Sequence, residues 1–561
     1  MRKSFVLLFG LIFSLNIYAQ LYIPAGNEIY HFTDRMEIKS NDLLQINIHS
    51  SCKPYTYQQV YNFRNLAVNI TSVDSSNFIY FKNDYFFETK SGKRAKPILK
   101  HFYTQNAALY QVNEENFKLS VNPVLYFASA FENVENAGTK SHQQLYMNTR
   151  GAELQGMVDR ISFYAFATDN QMRVPLQTQL FGAKTYALPG ESFYKNFKGN
   201  GVDFFHAEGY ISTPISKHIN MQFGTSKQFI GDGVRSLILS DFSKQHLFLK
   251  FNTNIWRINY QNIYYEMVDS AYTTGAGTYK KKFGATHHLS INASKNFNIG
   301  FFETVIFKRE NNAYELNYLN PIIFYRAVEH SLGSPDNVIL GLDFKWDFLH
   351  HFQVYGQIVL DEFLLANMRA QFIKPKTDPS WGWWANKYAA QLGLKVIDIA
   401  KIKNLDLQIE YNHIRPYTYG YTNTSLNFTD FNQSMAHPLG ANLKELVVMA
   451  FYQPTANWNI QVKTFNTLTG IDTSSTLSYG ADLLKSSYLK VSNFGNETGQ
   501  GLRAMIQYYE FKVTYLVAQQ LYIDAGYTYR TRKTNEAVFN NKNQYFTFGI
   551  RLHATSRNLM Y

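Results

Sequence analysis

Three adjacent pairs could do chemistry in this chain: His287-His288, His350-His351 and Asp361-Glu362. Imidazoles bind metals and carry protons, and paired carboxylates hydrolyse glycosides. The spacing argues against both uses. Neighbours on a β-strand point to opposite faces, so neither histidine pair can close on one metal ion without an irregular backbone. Glycosidase carboxylates face each other across about 5–10 Å, whereas strand neighbours diverge. A Ser–His hydrolase needs an orienting third residue, and no nucleophile-elbow motif selects a set. There is no phosphate loop and no nucleic-acid motif. The expectation is a chain that is not an enzyme, needs no metal or cofactor and has no nucleic-acid partner.

Binding chemistry is better represented. Asp232 and Arg235 lie in a glycine-rich segment, FIGDGVRS. Tyr325, Arg326 and Glu329 lie in NPIIFYRAVEHSLGSPDN. Trp381, Trp383 and Trp384 cluster in WGWW, and Arg415 and Tyr417 in RPYTY. Indole and phenol rings stack on sugars, while Asp and Arg bond hydroxyls and acidic groups. These ten residues are the candidate ligand-binding set. The plainer alternative is that the tryptophans form an interfacial girdle and the loops fold inward as caps.

The elements that must position them are strands. In Val338 to Phe363, apolar residues at 338, 340, 342, 344, 346 and 348 alternate with Gly341, Asp343, Lys345 and Asp347. The pattern resumes after Leu349-His350-His351. A period of two means β-strand, and arms of about ten residues suit a tilted strand crossing a bilayer. If the arms pair about that turn, Asp343 faces Gln357 and Lys345 faces Tyr355.

Similar segments recur at 117–131, 145–154, 158–169, 201–213, 217–226, 245–253, 255–268, 284–294, 297–308, 337–348, 352–363, 386–397, 404–413, 442–453, 457–466, 501–517, 520–531 and 544–553. They number about eighteen, an even count as bacterial barrels require. Connections after even strands are short; most after odd strands are long, such as 170–200, 309–336 and 467–500. Such sorting predicts an all-β fold, a transmembrane antiparallel β-barrel in the outer membrane. Periplasmic turns, extracellular loops and both termini in the periplasm follow.

Residues 1–19 carry Arg2, Lys3, an apolar core and Ala19, the pattern of a signal peptide. Residues 20–116 have helical spacing at 28–38, 56–67 and 97–111 and predict a helical plug or periplasmic segment. Residues 117–561 are then the barrel. Cys52 is the only cysteine, which excludes an intramolecular disulfide. Tyr, Phe and Trp make up 16% of the chain, which suits interfacial girdles. The net charge of +12 suits an anionic partner such as lipopolysaccharide or an acidic glycan.

Several stretches also resemble a known family. They include YHFTDRMEIK at 30–39, GTSKQFIGDGVRSLILSD at 224–241, NPIIFYRAVEHSLGSPDNVILGLDFKW at 320–346, IEYNHIRPYTY at 409–419 and NQSMAHPLGAN at 432–442. In these the chain is similar to Wzi-type capsule assembly proteins, in the Bacteroidota branch that includes the gliding motility protein RemB. The resemblance implies an eighteen-stranded barrel with a plugged lumen, acting as a surface lectin for capsular or other surface polysaccharide. It equally implies gliding-machinery proteins as partners. A pore or transporter, and a scaffold subunit of a surface complex, are the alternatives.

Overall fold

A computed structural model describes residues 20–85, 107–269, 279–322 and 324–557. The expected signal peptide lies outside the described residues, as does most of the expected helix at 97–111. The described end of that helix, Tyr110–Asn113, is a short strand instead, hydrogen-bonded along the first barrel strand.

Eighteen antiparallel strands close into a barrel. They are β1 (Phe117–Asn136), β2 (Thr139–Val158), β3 (Ile161–Arg173), β4 (Gly201–Pro214), β5 (Ile219–Ser226) and β6 (His246–Ile255). Next come β7 (Ile258–Val268), β8 (Lys281–Asn292), β9 (Phe297–Phe307), β10 (Asn337–Phe348), β11 (Phe352–Glu362) and β12 (Lys387–Val396). The last are β13 (Leu405–Ile414), β14 (Leu443–Thr455), β15 (Trp458–Ile471), β16 (Leu502–Ala518), β17 (Leu521–Thr534) and β18 (Asn541–Leu552), which pairs with β1. Every segment expected to be a strand is one. One end of the barrel carries short turns; the other carries most of the long loops.

The β10–β11 hairpin has the expected register, Asp343 opposite Gln357 and Lys345 opposite Tyr355. Leu349 and His350 both take φ of 55°, which matches the twist of the flanking strands. Leu340, Trp346, Ile358 and Leu392 are exposed on the outer face, while Asp343, Lys345, Asp347 and Gln357 are buried inside. Exposed apolar and buried charged residues invert the pattern of a water-soluble sheet. They fit a wall with lipid outside and polar groups within.

Among the described residues, four helices precede the barrel: α1 (Ile29–Ser40), α2 (Leu43–Ile46), α3 (Tyr57–Asn62) and α4 (Ser72–Tyr85). Thr56 and Gln59 form a capping box at the start of α3, where the sequence predicts a helix start. Met36, Ile46, Ile48, Val60, Phe63 and Phe81 give the segment its own small core. It sits in the lumen at the short-turn end. Arg35 bonds Asp398 at 2.7 Å and Asp406 at 2.6 Å on the wall, besides Asp74 at 2.8 Å within the segment. Lys345 reaches in from β10 to Glu37 at 2.7 Å.

From the other end, the loops after β5 and β13 descend into the lumen. Leu237, Ile238 and Leu239 pack with Met435 and Ala436 against Phe302, Ile339 and Val359 of the inner wall. This loop meets the helical segment directly: Cys52 pairs with Ile230, and Gly231 N–H donates to Ser51 O at 2.7 Å.

Candidate functional site

The inward course of the loop after β5 relocates two of the ten candidates. Asp232 lies 3.5 Å from Lys345 Nζ, deep in the lumen. Arg235 bonds Glu445 through Nε and Nη2, both at 3.0 Å, and its guanidinium stands 4.5 Å over the Phe465 ring. Both are buried and hold the loop against the wall, and Arg235 also borders a lumen cavity. Tyr325, Arg326 and Glu329 are also apart from the rest. Their helix, Tyr325–Ser331, lies against the outside of the barrel, where Tyr325 stacks on His287 at 3.9 Å. Glu329 is buried and paired with Arg326 at 2.8 Å.

The other five come together at the long-loop end. Arg415, just past β13, donates to the carbonyls of Asn386, Asn496 and Trp383 at 3.1, 3.1 and 3.2 Å. It thereby ties three loops together while almost fully buried. Trp384 N–H donates to Asn493 O at 2.9 Å, and Asn496 N–H to Gly382 O at 2.9 Å. Gly382 has φ of 70°, and a Cβ there would stand 2.7 Å from Asn496 N, so only glycine fits. Trp381 is buried over its own loop, its Nε1–H donating to Gln371 O at 3.1 Å. Tyr417 is also buried and donates to Ser478 O at 2.7 Å; burial pushes its phenol up to about 12, so it stays neutral.

Trp383 and Trp384 are half-buried and present rings to the surface. Trp384 meets Tyr417 edge-on at 6.0 Å and carries two ammonium groups, Lys490 at 4.7 Å and Lys387 at 5.1 Å. Lys387 is itself buried, bonding Glu362 at 3.0 Å and the Gly420 carbonyl at 2.9 Å, and so backs the ring from within. Tyr488, Val491 and Phe494 are exposed on the adjoining loop. Fixed aromatic faces beside cations can take up sugar rings and anionic groups. Lys387, Lys490 and Tyr488 were not among the candidates. Lys387 sits at the top of a strand, and Lys490 and Tyr488 lie in a Ser- and Thr-rich loop without a recognisable motif.

The histidine pairs do split between faces. His287 points outward and His288 inward, where His288 Nε2 is 2.7 Å from Asp343 and Nδ1 is 3.0 Å from Cys52 Sγ. Gly300 opposite Asp343 leaves room for this contact, since a Cβ there would lie 2.4 Å from the carboxylate. The order Cys–His–Asp is that of a nucleophilic relay. All three side chains are buried, however, and neither of the two large lumen cavities reaches them. The set fastens the helical segment to the wall. Cys52 is thus buried but polar in its contacts.

Those cavities, about 280 and 440 Å³, lie along the β1–β5 and β14–β18 side and share Glu28, Phe166, His206 and Glu208 in their linings. After β18 the chain turns up into the larger one. Arg557 bonds Glu191 of the long loop after β3 at 2.6 Å and Asn170 at 2.8 Å. Burial alone would raise the Glu191 carboxyl, but the charges of His206 and Arg557 more than offset it and hold it at about 2. A depressed carboxyl stabilises the docked tail fully above its ordinary pKa of 4.5, and the contribution disappears as pH falls toward 2. A spin label at Ser556→Cys is expected to be immobile at pH 6 and to gain mobility only below about pH 4.5. With Glu191→Gln it should already be mobile at pH 6.

No protein-family model matches the chain, and no curated protein matches it. Solved structures do. OprD of Pseudomonas aeruginosa is similar with a TM-score of 0.41 at 10% identity, over 79% of this chain and 95% of that one. Wzi of Escherichia coli, an outer membrane protein involved in group 1 capsule assembly and a carbohydrate-binding β-barrel, is similar with a TM-score of 0.57 at 10% identity. That likeness covers 96% of this chain and 100% of Wzi. At such identity it is a likeness of fold: over nearly its whole length the chain forms a Wzi-like barrel of the outer-membrane type.

Proposed function

We propose that this chain is an outer-membrane protein that binds capsular or another surface polysaccharide at its long-loop end, which faces the cell exterior. The observation that carries the reading is the Trp383–Trp384 surface flanked by Lys490 and Tyr488 on loops that Arg415 ties together. Rigid aromatic anchors lose little entropy on binding, and the Lys490 ammonium favours acidic sugars. The carbohydrate-binding character of Wzi, on the same fold, supports it. Residues 1–19 then act as the signal peptide, and the helical segment closes the lumen from the periplasm.

Binding of the purified protein to the cell's own capsular polysaccharide, with lipopolysaccharide as the second ligand, tests the reading; binding to neither removes it. Trp384→Ala is expected to weaken binding roughly tenfold, since a buried aromatic anchor contributes about 1–2 kcal/mol. Unchanged affinity would place the ligand elsewhere.

The two lumen cavities favour a second reading, a pore. Planar-bilayer recording separates the two. The full-length chain is expected to be silent and a chain lacking residues 20–85 to show conductance steps. Steady conductance of the full-length chain would favour the pore.

A further inference from the structure

The loop joining β9 to β10 does not stand above the barrel. It folds back along the outer wall. Asn262, His287, Glu303 and Leu340 are successive cross-strand partners on the outward face of β7 to β10. Leu340 and its neighbour Phe301 are exposed there as a lipid-facing wall requires, but His287 and Glu303 are buried beneath the loop. The loop extends far down. Pro321 O accepts from Tyr260 Oη at 2.7 Å and from Asn262 Nδ2 at 3.1 Å, and Tyr260 is two residues from the short-turn end of β7.

An outward-facing Glu or His in the hydrocarbon band is costly, as is an irregular backbone with open polar groups. Here each offsets the other. Tyr264 Oη donates to Leu319 O at 3.1 Å, and Glu303 Oε1 accepts from Arg326 N–H at 2.9 Å. Within the loop, Ile322 N–H donates to Asn320 Oδ1 at 3.0 Å and Ala327 N–H to Phe324 O at 2.9 Å. Tyr318 and Tyr325 are fully buried against Phe283, Val305, Phe307 and Val338 of the wall. The side turned away from the barrel carries three large apolar residues, Leu316, Ile322 and Phe324, 72%, 81% and 73% exposed, beside the exposed Asn317 and an Arg326 side chain that is 64% exposed and paired with the buried Glu329.

We propose that this loop is embedded in the bilayer and that acyl chains cover Leu316, Ile322 and Phe324. The outward-facing Tyr260, Asn262, Tyr264 and Glu303 are there to satisfy its backbone. The loop replaces a polar stretch of wall with an apolar one and widens the protein's footprint in the membrane. The inference rests on the transmembrane barrel alone and stands whether or not the protein binds a glycan.

Single cysteines at Leu316, Ile322 and Phe324 carrying a nitroxide label, in the full chain reconstituted into phospholipid vesicles, test it. Cys52 is buried, and label uptake by the unsubstituted chain gives the background. Labels at Phe301→Cys and Tyr488→Cys serve as wall and surface references. The loop labels are expected to collide several-fold more with oxygen, which partitions into lipid, than with a water-soluble nickel chelate, as at Phe301→Cys. Preference for the chelate, as at Tyr488→Cys, would overturn the proposal. So would shielding from both reagents with spin–spin broadening between molecules, which would mean a second copy covers the loop. Tyr260→Phe combined with Asn262→Ala removes the bonds to Pro321 and is expected to lower the oxygen preference at Ile322→Cys. An unchanged preference there would overturn the role given to the outward-facing polar residues.

Discussion

Replacing Lys345 with methionine loosens the N-terminal segment from the barrel, at a cost of about 3–5 kcal/mol. Lys345 is fully buried between Glu37 at 2.7 Å and Asp232 at 3.5 Å, with Ser50 also in contact. One ammonium thus joins the wall, the helical segment and the loop descending from the opposite end. A methionine fills the volume and leaves two buried carboxylates facing each other without a cation. Protease digestion of the folded barrel should cut within residues 20–85 far faster than in the unsubstituted chain, and bilayer recordings should show intermittent openings. Adding Glu37→Gln removes one orphaned charge and should restore part of the loss, because the two sites are coupled. Equal protease resistance of Lys345→Met and the parent would show that apolar packing alone holds the segment.

Arg415→Ala is expected to abolish the proposed polysaccharide binding while leaving the barrel closed. No ligand needs to touch Arg415 for this. Its guanidinium satisfies three carbonyls from two loops besides its own, and each buried carbonyl left open costs about 1–3 kcal/mol. The loops carrying Trp383, Trp384 and Lys490 would lose their common anchor. Arg415→Lys should behave nearly the same, since one ammonium cannot repeat the planar fork. Heat-modifiable gel mobility should report an intact barrel, and tryptophan emission should shift to the red as the loops loosen. Retained binding in Arg415→Ala would mean that the loops are ordered by their backbone bonds alone.

The barrel was legible because its signal is local. A side chain's face follows from its position in a strand, and eighteen strands repeat the rule with one long and one short kind of connection. The split of His287 from His288 follows from the same parity, as does the register of Asp343 with Gln357. The candidate residues were legible only as types. Trp383, Trp384, Arg415 and Tyr417 are within reach of one another in the chain and remain together in the fold. Asp232 and Arg235 resemble them in kind yet lie at the foot of an inward loop, against Lys345 and Glu445. Nothing in FIGDGVRS states that direction, which depends on Leu237, Ile238 and Leu239 finding Ile339 and Val359 across the lumen. Tyr325 likewise turned outward, because Tyr260 and Asn262, some sixty residues earlier, hold the preceding turn.

Strands, their lipid and lumen faces and the turns at one end were readable from residue order, because each depends on neighbours a few residues away. The tertiary structure alone decided which loops fill the lumen, which stand at the mouth and which lie along the wall. Those choices rest on single long-range contacts, Lys345 to Glu37, Arg415 to three carbonyls and Pro321 to Tyr260, that only the closed barrel brings into reach.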